Sequence, residues 1–382
     1  MTFINRRHML GTLAVAGMNF PNILRADAPK ARINETQVIS LRPDHYHGWS
    51  TLARRKDGEL LLVCSGGREN HVCPFGQVEL MRSKDEGATW SFPRVLLDSP
   101  IDDRDAGILE TSKGTLLATT FTSNAYDEYY LVKGAHKNWP ADRRTRWLAA
   151  HNRVSAAARK KELGTWMIRS TDGGVTWSPR YDSLVNSPHG PVNLKDGRVL
   201  YAGKNLWRDK TWIGVCESKD DGQTWQHLAE IPTRKGDDNK RYHELHAVEA
   251  ANGNLIVQIR NHNAKNERET LQTESTDGGK TWSELHAIGV WGLPSHLLRL
   301  KDGRLLMSYG HRRKPFGNQA RISADHGKTW SDPIIISGDG AGGDLGYPTT
   351  VQLDDGSLVT VWYEKLATNP RAVLRQAKWR LL

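Results

Sequence analysis

The chain has 382 residues, 38% of them hydrophobic, with 35 Gly, 16 Pro, 15 His and a formal net charge of +10. That length allows a large core, as one repeat domain or two ordinary ones, and the Gly and Pro content suits many short strands joined by turns. The positive charge is scattered, without a Lys/Arg block or a nucleic-acid module, which argues against nucleic acid and fits an anionic small substrate or glycan.

In chain order, Arg6-Arg7 precedes the apolar run Leu10 to Met18 and then Ala26-Asp27-Ala28. Residues 1–28 thus predict an export signal of twin-arginine type and a periplasmic or secreted protein; a disordered basic tail is the alternative, and Pro29 argues against cleavage directly after Ala28. The run is too short to span a bilayer, and no other stretch is long enough. Glu35 to Leu41 reads as a strand. Cys64, Cys73 and Cys216 form no metal-ligand spacing; Cys64 and Cys73 could pair across adjacent strands, although free buried thiols are the simpler reading.

An octapeptide then recurs. Ser-x-Asp-x-Gly-x-Thr-Trp occurs at Ser83 to Trp90, Ser170 to Trp177, Ser218 to Trp225, Ser275 to Trp282 and Ser323 to Trp330. The Asp accepts from backbone N–H groups of its own turn, the Gly takes a φ other residues resist, and the Trp buries a ring beside the turn. Each box predicts a hairpin. Between the boxes lie apolar strands joined by turns at Asp57-Gly58, Lys113-Gly114, Asp196-Gly197, Asn252-Gly253, Asp302-Gly303 and Asp355-Gly356. The pattern makes six four-strand units. The sixth lacks a box, and its outer strand comes from the N-terminus beside Ala372 to Leu381, so no edge is left open. The prediction is an all-β six-bladed β-propeller over residues 35–382.

The first two boxes stand 87 residues apart, against 48, 57 and 48 for the others. The excess, about 122–165, predicts an insertion in blade two, helical over Trp147 to Leu163, that either caps the pocket or packs on the rim.

A propeller places its site on the axis, where first strands start and second strands end. First-strand starts carry His47, Trp49, Arg104, Asp105, His189, His243 to His246, His296 and Tyr347; second-strand ends carry Arg68, Glu69, Lys204, Arg260, His311 to Arg313, Tyr363 and Glu364. So many cations around one funnel suit an anionic ligand. The histidines invite a metal, but each sits on a different blade, and sugar hydrogen bonding or general acid chemistry fits them better. No cofactor is expected.

The boxes in a six-bladed ring resemble the sialidase superfamily. More specific is the run His243-Glu244-Leu245-His246-Ala247-Val248-Glu249 with Asn252-Gly253 and Val257-Gln258-Ile259-Arg260; so is Gly346-Tyr347-Pro348 with Trp362-Tyr363-Glu364. The resemblance implies Tyr347 as nucleophile, Glu244 as the base that activates it, and Arg260 with Arg312 or Arg313 as carboxylate clamps. The chemistry is coherent: a phenol with pKa about 10 needs a neighbouring carboxylate to take its proton, and it meets no repulsion from an anionic sugar. Two family features are absent. The chain reads His47-Gly48-Trp49-Ser50 where an Arg-Ile-Pro motif belongs, and the acid Asp is missing from the loop Arg68 to Pro74. Glu69, His71 and Asp105 are the substitute acids, and His47, His189, His246, His296, Arg68, Arg104 and Glu364 are further candidates for binding substrate. The expectation is an exo-acting hydrolase of an acidic or unusual glycan end. A uronate-specific polysaccharide lyase and a non-catalytic carbohydrate-binding propeller are the alternatives.

Overall fold

Runs such as Leu60-Leu61-Leu62-Val63 leave no polar face for solvent, and all four side chains are fully buried. A strand of this kind is stable only between two packed layers. In the computed structural model, which describes residues 29–382, every sheet is sandwiched in this way. There are six four-stranded antiparallel sheets, arranged as the blades of a propeller. Blade one comprises Tyr46–Arg54, Leu60–Arg68, Gln77–Ser83 and Arg94–Leu97. The innermost strands of blades two to six are Asp102–Glu110, Val192–Asn193, Tyr242–Glu249, Ser295–Arg299 and Leu345–Gln352.

The core is divided among the blade interfaces. Leu60 and Leu62 pack against Val359 and Val361 of blade six, whereas Leu61 and Val63 pack against Ile108 and Ala118 of blade two. Alternation along one strand therefore feeds two separate cores. Ring closure uses both ends of the chain. Ala31–Val38 pairs antiparallel with Asn369–Leu381 and completes blade six. The N-terminal strand thus lies a few residues earlier than Glu35 to Leu41, with a register shift between Ile33 and Glu35. The predicted export signal lies outside the described residues.

The five boxes sit at the turns between third and fourth strands, far from the axis. In the box of blade two, Asp172 Oδ1 accepts from the backbone N–H of Thr176 at 2.9 Å, and Ser170 Oγ accepts from the N–H of Gly174 at 2.8 Å. The box glycines share a left-handed φ, 87° at Gly174, which a side chain would resist. The box Trp rings are less deeply buried than the pattern suggests; Trp282, the most enclosed, is still 9% exposed. Trp90 and Trp330 instead donate Nε1–H to Gln376 and Gln272 of the neighbouring blade. They tie blades together as well as pinning turns.

The segment between Leu116–Ser123 and Thr165–Ser170 holds two α-helices, α1 (Ala141–Asn152) and α2 (Ala156–Lys161), after a short π turn and a 3-10 turn. Helix therefore starts earlier than Trp147 and is interrupted. Pro140 at the N-cap opens α1, and Ser155 caps α2 by accepting from the N–H of Ala158. Trp147 is fully buried with Cys73 and Tyr126. Its Nε1–H donates to Glu69 Oε2 at 2.9 Å, and Arg146 Nε donates to Glu69 Oε1 at 2.9 Å. The insertion thereby braces the blade-one loop that carries His71. Cys64, Cys73 and Cys216 are free and buried.

Candidate active site

The axial ends of four inner strands depart from regular pairing. Trp49, Asp105 and Tyr347 have φ of 53°, 48° and 54°, which costs energy in a residue with a side chain. Each lies in a register shift of its strand pair, between Gly48 and Thr51, Arg104 and Gly107, and Gly346 and Thr349. Glu244 lies in a fourth shift, between His243 and Leu245. A bulge re-aims a side chain that a straight strand would send into the blade interface. Four blades use it at one repeat position, eight residues before the second residue of the turn that follows (Asp57, Lys113, Asn252 and Asp355).

The bulges bring together a compact polar group. Tyr347 Oη donates to Glu244 Oε1 at 2.5 Å. Arg260 Nη1 donates to the same oxygen at 2.8 Å and to Tyr347 Oη at 3.2 Å, while its Nε donates to His262 Nε2 at 2.7 Å. The Arg312 guanidinium lies 5.7 Å from the Tyr347 ring centroid and donates Nε–H to the Leu345 carbonyl. Burial alone would raise the Glu244 carboxyl; Arg260, His243, the Tyr347 hydroxyl and Arg312 outweigh it and hold the group down at about 2. Burial, reinforced by the Glu244 charge, pushes the Tyr347 phenol well above its ordinary value. The pair is therefore a neutral phenol donating to a carboxylate.

Asp105 has the opposite character. It is 6% exposed, and its Oδ1 has no hydrogen-bond partner. Burial pushes its carboxyl up to about 7, against the pull of Arg104 and Arg260 and with a further push from Glu244. Two carboxyls in one site thus have their proton affinities pushed apart.

A second wall is aromatic. The Trp49 ring carries Arg104 at 4.2 Å and Arg68 at 4.8 Å from its centroid, and the His71 ring meets it edge-on at 5.0 Å. His71 Nδ1 lies 3.0 Å from Asp344 Oδ1 and 2.8 Å from Tyr46 Oη. Tyr46 also donates to Asp344, at 2.9 Å. Burial lowers the His71 imidazole against the opposing effect of Asp344. Asp344 and Tyr46 were not among the sequence candidates, because Asp344 precedes its strand in a Gly-rich loop and Tyr46 reads as core.

Several candidates lie elsewhere. Both oxygens of Asp102 hold the Arg68 guanidinium, at 2.6 and 3.0 Å, with both side chains fully buried, so the charge of Arg68 is already neutralised. Glu69 is taken by Arg146 and Trp147, and its carboxyl is lowered despite burial; a proton donor there would have to break the brace. Arg313 stacks on Trp291 at 4.4 Å and donates to His311, so Arg312 is the member of that pair beside Tyr347. Glu364 is buried within blade six, accepting from Trp362 Nε1 at 2.7 Å and from Arg375. His47 lies 3.7 Å from Glu79, where burial lowers its imidazole to about 4. Lys204 donates to the carbonyls of Lys240 and Tyr242. His189, His246 and His296 stand below Tyr347 on the axis, with ring centroids 4.5 to 5.3 Å apart. Among the described residues no group of three His, Cys, Asp or Glu side chains is arranged to hold a metal ion, and no helix is long and apolar enough to cross a membrane.

Six blades, five boxes and this axial group define a sialidase-like β-propeller. The chain belongs to the family of BNR repeat-like domains, whose model matches residues 141–360. It is similar to a sialidase of Paraclostridium sordellii, 23% identical over 286 residues that cover 65% of this chain and 62% of that protein. A sialidase of Bacteroides fragilis is 24% identical over 315 residues, 75% of this chain and 54% of the relative. The chain thus spans 54% to 62% of the length of these relatives. Among solved structures, a protein of unknown function from Dyadobacter fermentans superimposes with a TM-score of 0.74 at 24% identity, covering 92% of this chain and 99% of its own. The NanB sialidase of Streptococcus pneumoniae superimposes with a TM-score of 0.64 at 14% identity, covering 91% and 71%. These likenesses carry the fold.

Proposed function

We propose that the chain is an exported glycoside hydrolase that removes an acidic or otherwise unusual terminal sugar from a glycan. The observation that carries this reading is the 2.5 Å contact of Tyr347 Oη with Glu244, with Arg260 on the same oxygen. Tyr347 Oη attacks the anomeric carbon, its proton passes to Glu244, and the glycosidic C–O bond breaks as Asp105 protonates the leaving oxygen. Asp105, now a carboxylate, then takes a proton from water as that water attacks the same carbon; the Tyr347 oxygen leaves and recovers its proton from Glu244. Glu244, held low at about 2, is a weak base in the resting site, so its proton transfer belongs late, when the sugar carries positive charge. Arg260 and Arg312 hold the anionic group of the substrate. Trp49, buried beneath the Arg104 guanidinium, fills the place of the missing Arg-Ile-Pro motif and positions that cation at the edge of the site.

Incubation with sialosides, uronides and algal or host glycans, with product analysis, tests the proposal. A released reducing sugar, with turnover lost in Tyr347→Phe and Glu244→Gln, is expected. Unchanged turnover in either variant refutes the mechanism. An unsaturated product assigns the site to a lyase, and binding without product assigns it to a carbohydrate-binding propeller.

A further inference from the structure

The axial channel has a second mouth, on the face away from Tyr347. There a cavity of about 380 Å³ is lined by the far ends of the inner strands, including Arg54, Glu110, Arg299 and Lys301. Its blind end is closed by His189, His246 and His296, of which His189 also touches the floor of the candidate active site, 6.3 Å from the Tyr347 ring centroid.

The hydrogen bonds of these rings fix what they offer. His246 Nδ1 accepts the backbone N–H of Leu297 at 2.9 Å, and His296 Nδ1 accepts that of Thr350 at 3.5 Å. A neutral imidazole that accepts at Nδ1 carries its proton on Nε2. Burial holds all three rings neutral, lowering His189 to about 3 and the other two well below their ordinary value. His189 Nε2 is buried without a partner. His246 and His296 therefore offer Nε2–H donors rather than the lone pairs a metal ion needs, while His189 Nδ1 lies 3.3 Å from Thr349 Oγ1. At the mouth, Arg54 and Lys301 share Asp354, and Glu110 is taken by Arg55 and the Lys56 N–H. Arg299 donates to the Glu249 carbonyl and has no carboxylate partner among the described residues. An uncompensated guanidinium at the rim and donors at the bottom call for an acceptor that is charged at one end. The volume lies within the range of small-molecule sites.

We propose that this cavity is a second ligand site, distinct from the Tyr347 group, that takes a monosaccharide-sized carboxylate with its hydroxyls on His246 and His296 and its charge on Arg299. Protein labelled with 15N-histidine is titrated with gluconate, and the imidazole resonances are followed. Saturable shifts at the buried rings are expected. Arg299→Ala should weaken them about tenfold or more, the loss of a charged hydrogen bond, without altering turnover at the Tyr347 face. Arg260→Gln, which removes the cation beside Tyr347, should leave the gluconate affinity unchanged. The proposal is overturned by the absence of saturable shifts, or by shifts that disappear in Arg260→Gln yet survive in Arg299→Ala, which would put the anion beside Tyr347. Inorganic phosphate binding as tightly as gluconate would overturn the assignment to a sugar acid.

Discussion

Replacing Asp105 by Asn separates the proton from the shape. Asn is nearly isosteric and tolerates the left-handed backbone that Asp105 adopts, so the bulge survives and only proton transfer is lost. A positioned general acid contributes about 10²- to 10⁴-fold, or about 2.7 to 5.4 kcal/mol of the barrier. The loss should fall on glycans with poor leaving groups and nearly vanish for an activated aryl glycoside, whose leaving group needs no proton. The pH profile carries the same signature. With its carboxyl at about 7, Asp105 holds its proton below that value, so kcat/KM falls as pH rises through it; Glu244 stays ionised throughout. For stability the sign is also fixed. A folded pKa above the ordinary 3.8 means a contribution complete below 3.8 that is lost as pH rises through about 7. The Asn variant should therefore lose less stability than wild type over that interval, measured by chemical denaturation at several pH values. Activity of the variant within about twofold of wild type on an unactivated glycan would refute the role, since no general acid is worth so little.

The other predictions concern the scaffold and the clamp. Trp147→Ala removes the buried ring that holds Glu69 and Cys73, and should cost about 3 to 5 kcal/mol; hydrogen exchange should rise over α1, α2 and the His71 loop before the blades open. Gly107→Ala places a Cβ 2.5 Å from Thr119 Oγ1 and 2.7 Å from the Gly190 backbone, so a drop of about 1 to 3 kcal/mol is expected in denaturant titration. Arg312→Ala should raise KM for an acidic substrate far more than for its uncharged analogue, whereas Arg313→Ala, which unstacks Trp291, should leave both kinetic constants near wild type.

The boxes made the blade count legible because their Asp, Gly and Trp form each turn locally, within eight residues. The same register picked out Glu244, Arg260 and Tyr347. The bulges were legible in principle too, since Trp49, Asp105, Glu244 and Tyr347 share one spacing to the following turn. What the sequence could not resolve depends on partners distant in the chain. Glu69 is drawn away by Trp147 and Glu364 by Arg375, and Arg68 is cancelled by Asp102 across a blade interface. Arg312 and Arg313 point to opposite sides of a strand end, and no periodicity says which side faces the axis. Five histidines stand at strand ends in the sequence pattern, and which of them meet, His189, His246 and His296, follows from how the inner strands pack.

The central claim is that Tyr347 attacks the sugar. A fluorinated glycoside that slows the second step, made from whichever sugar the substrate panel identifies, should leave a covalent adduct, and mass spectrometry of the digested protein should place it on the peptide bearing Tyr347. Retention of anomeric configuration should accompany it. An adduct on any other residue, or inversion of configuration by protein that turns the glycan over, would contradict the account.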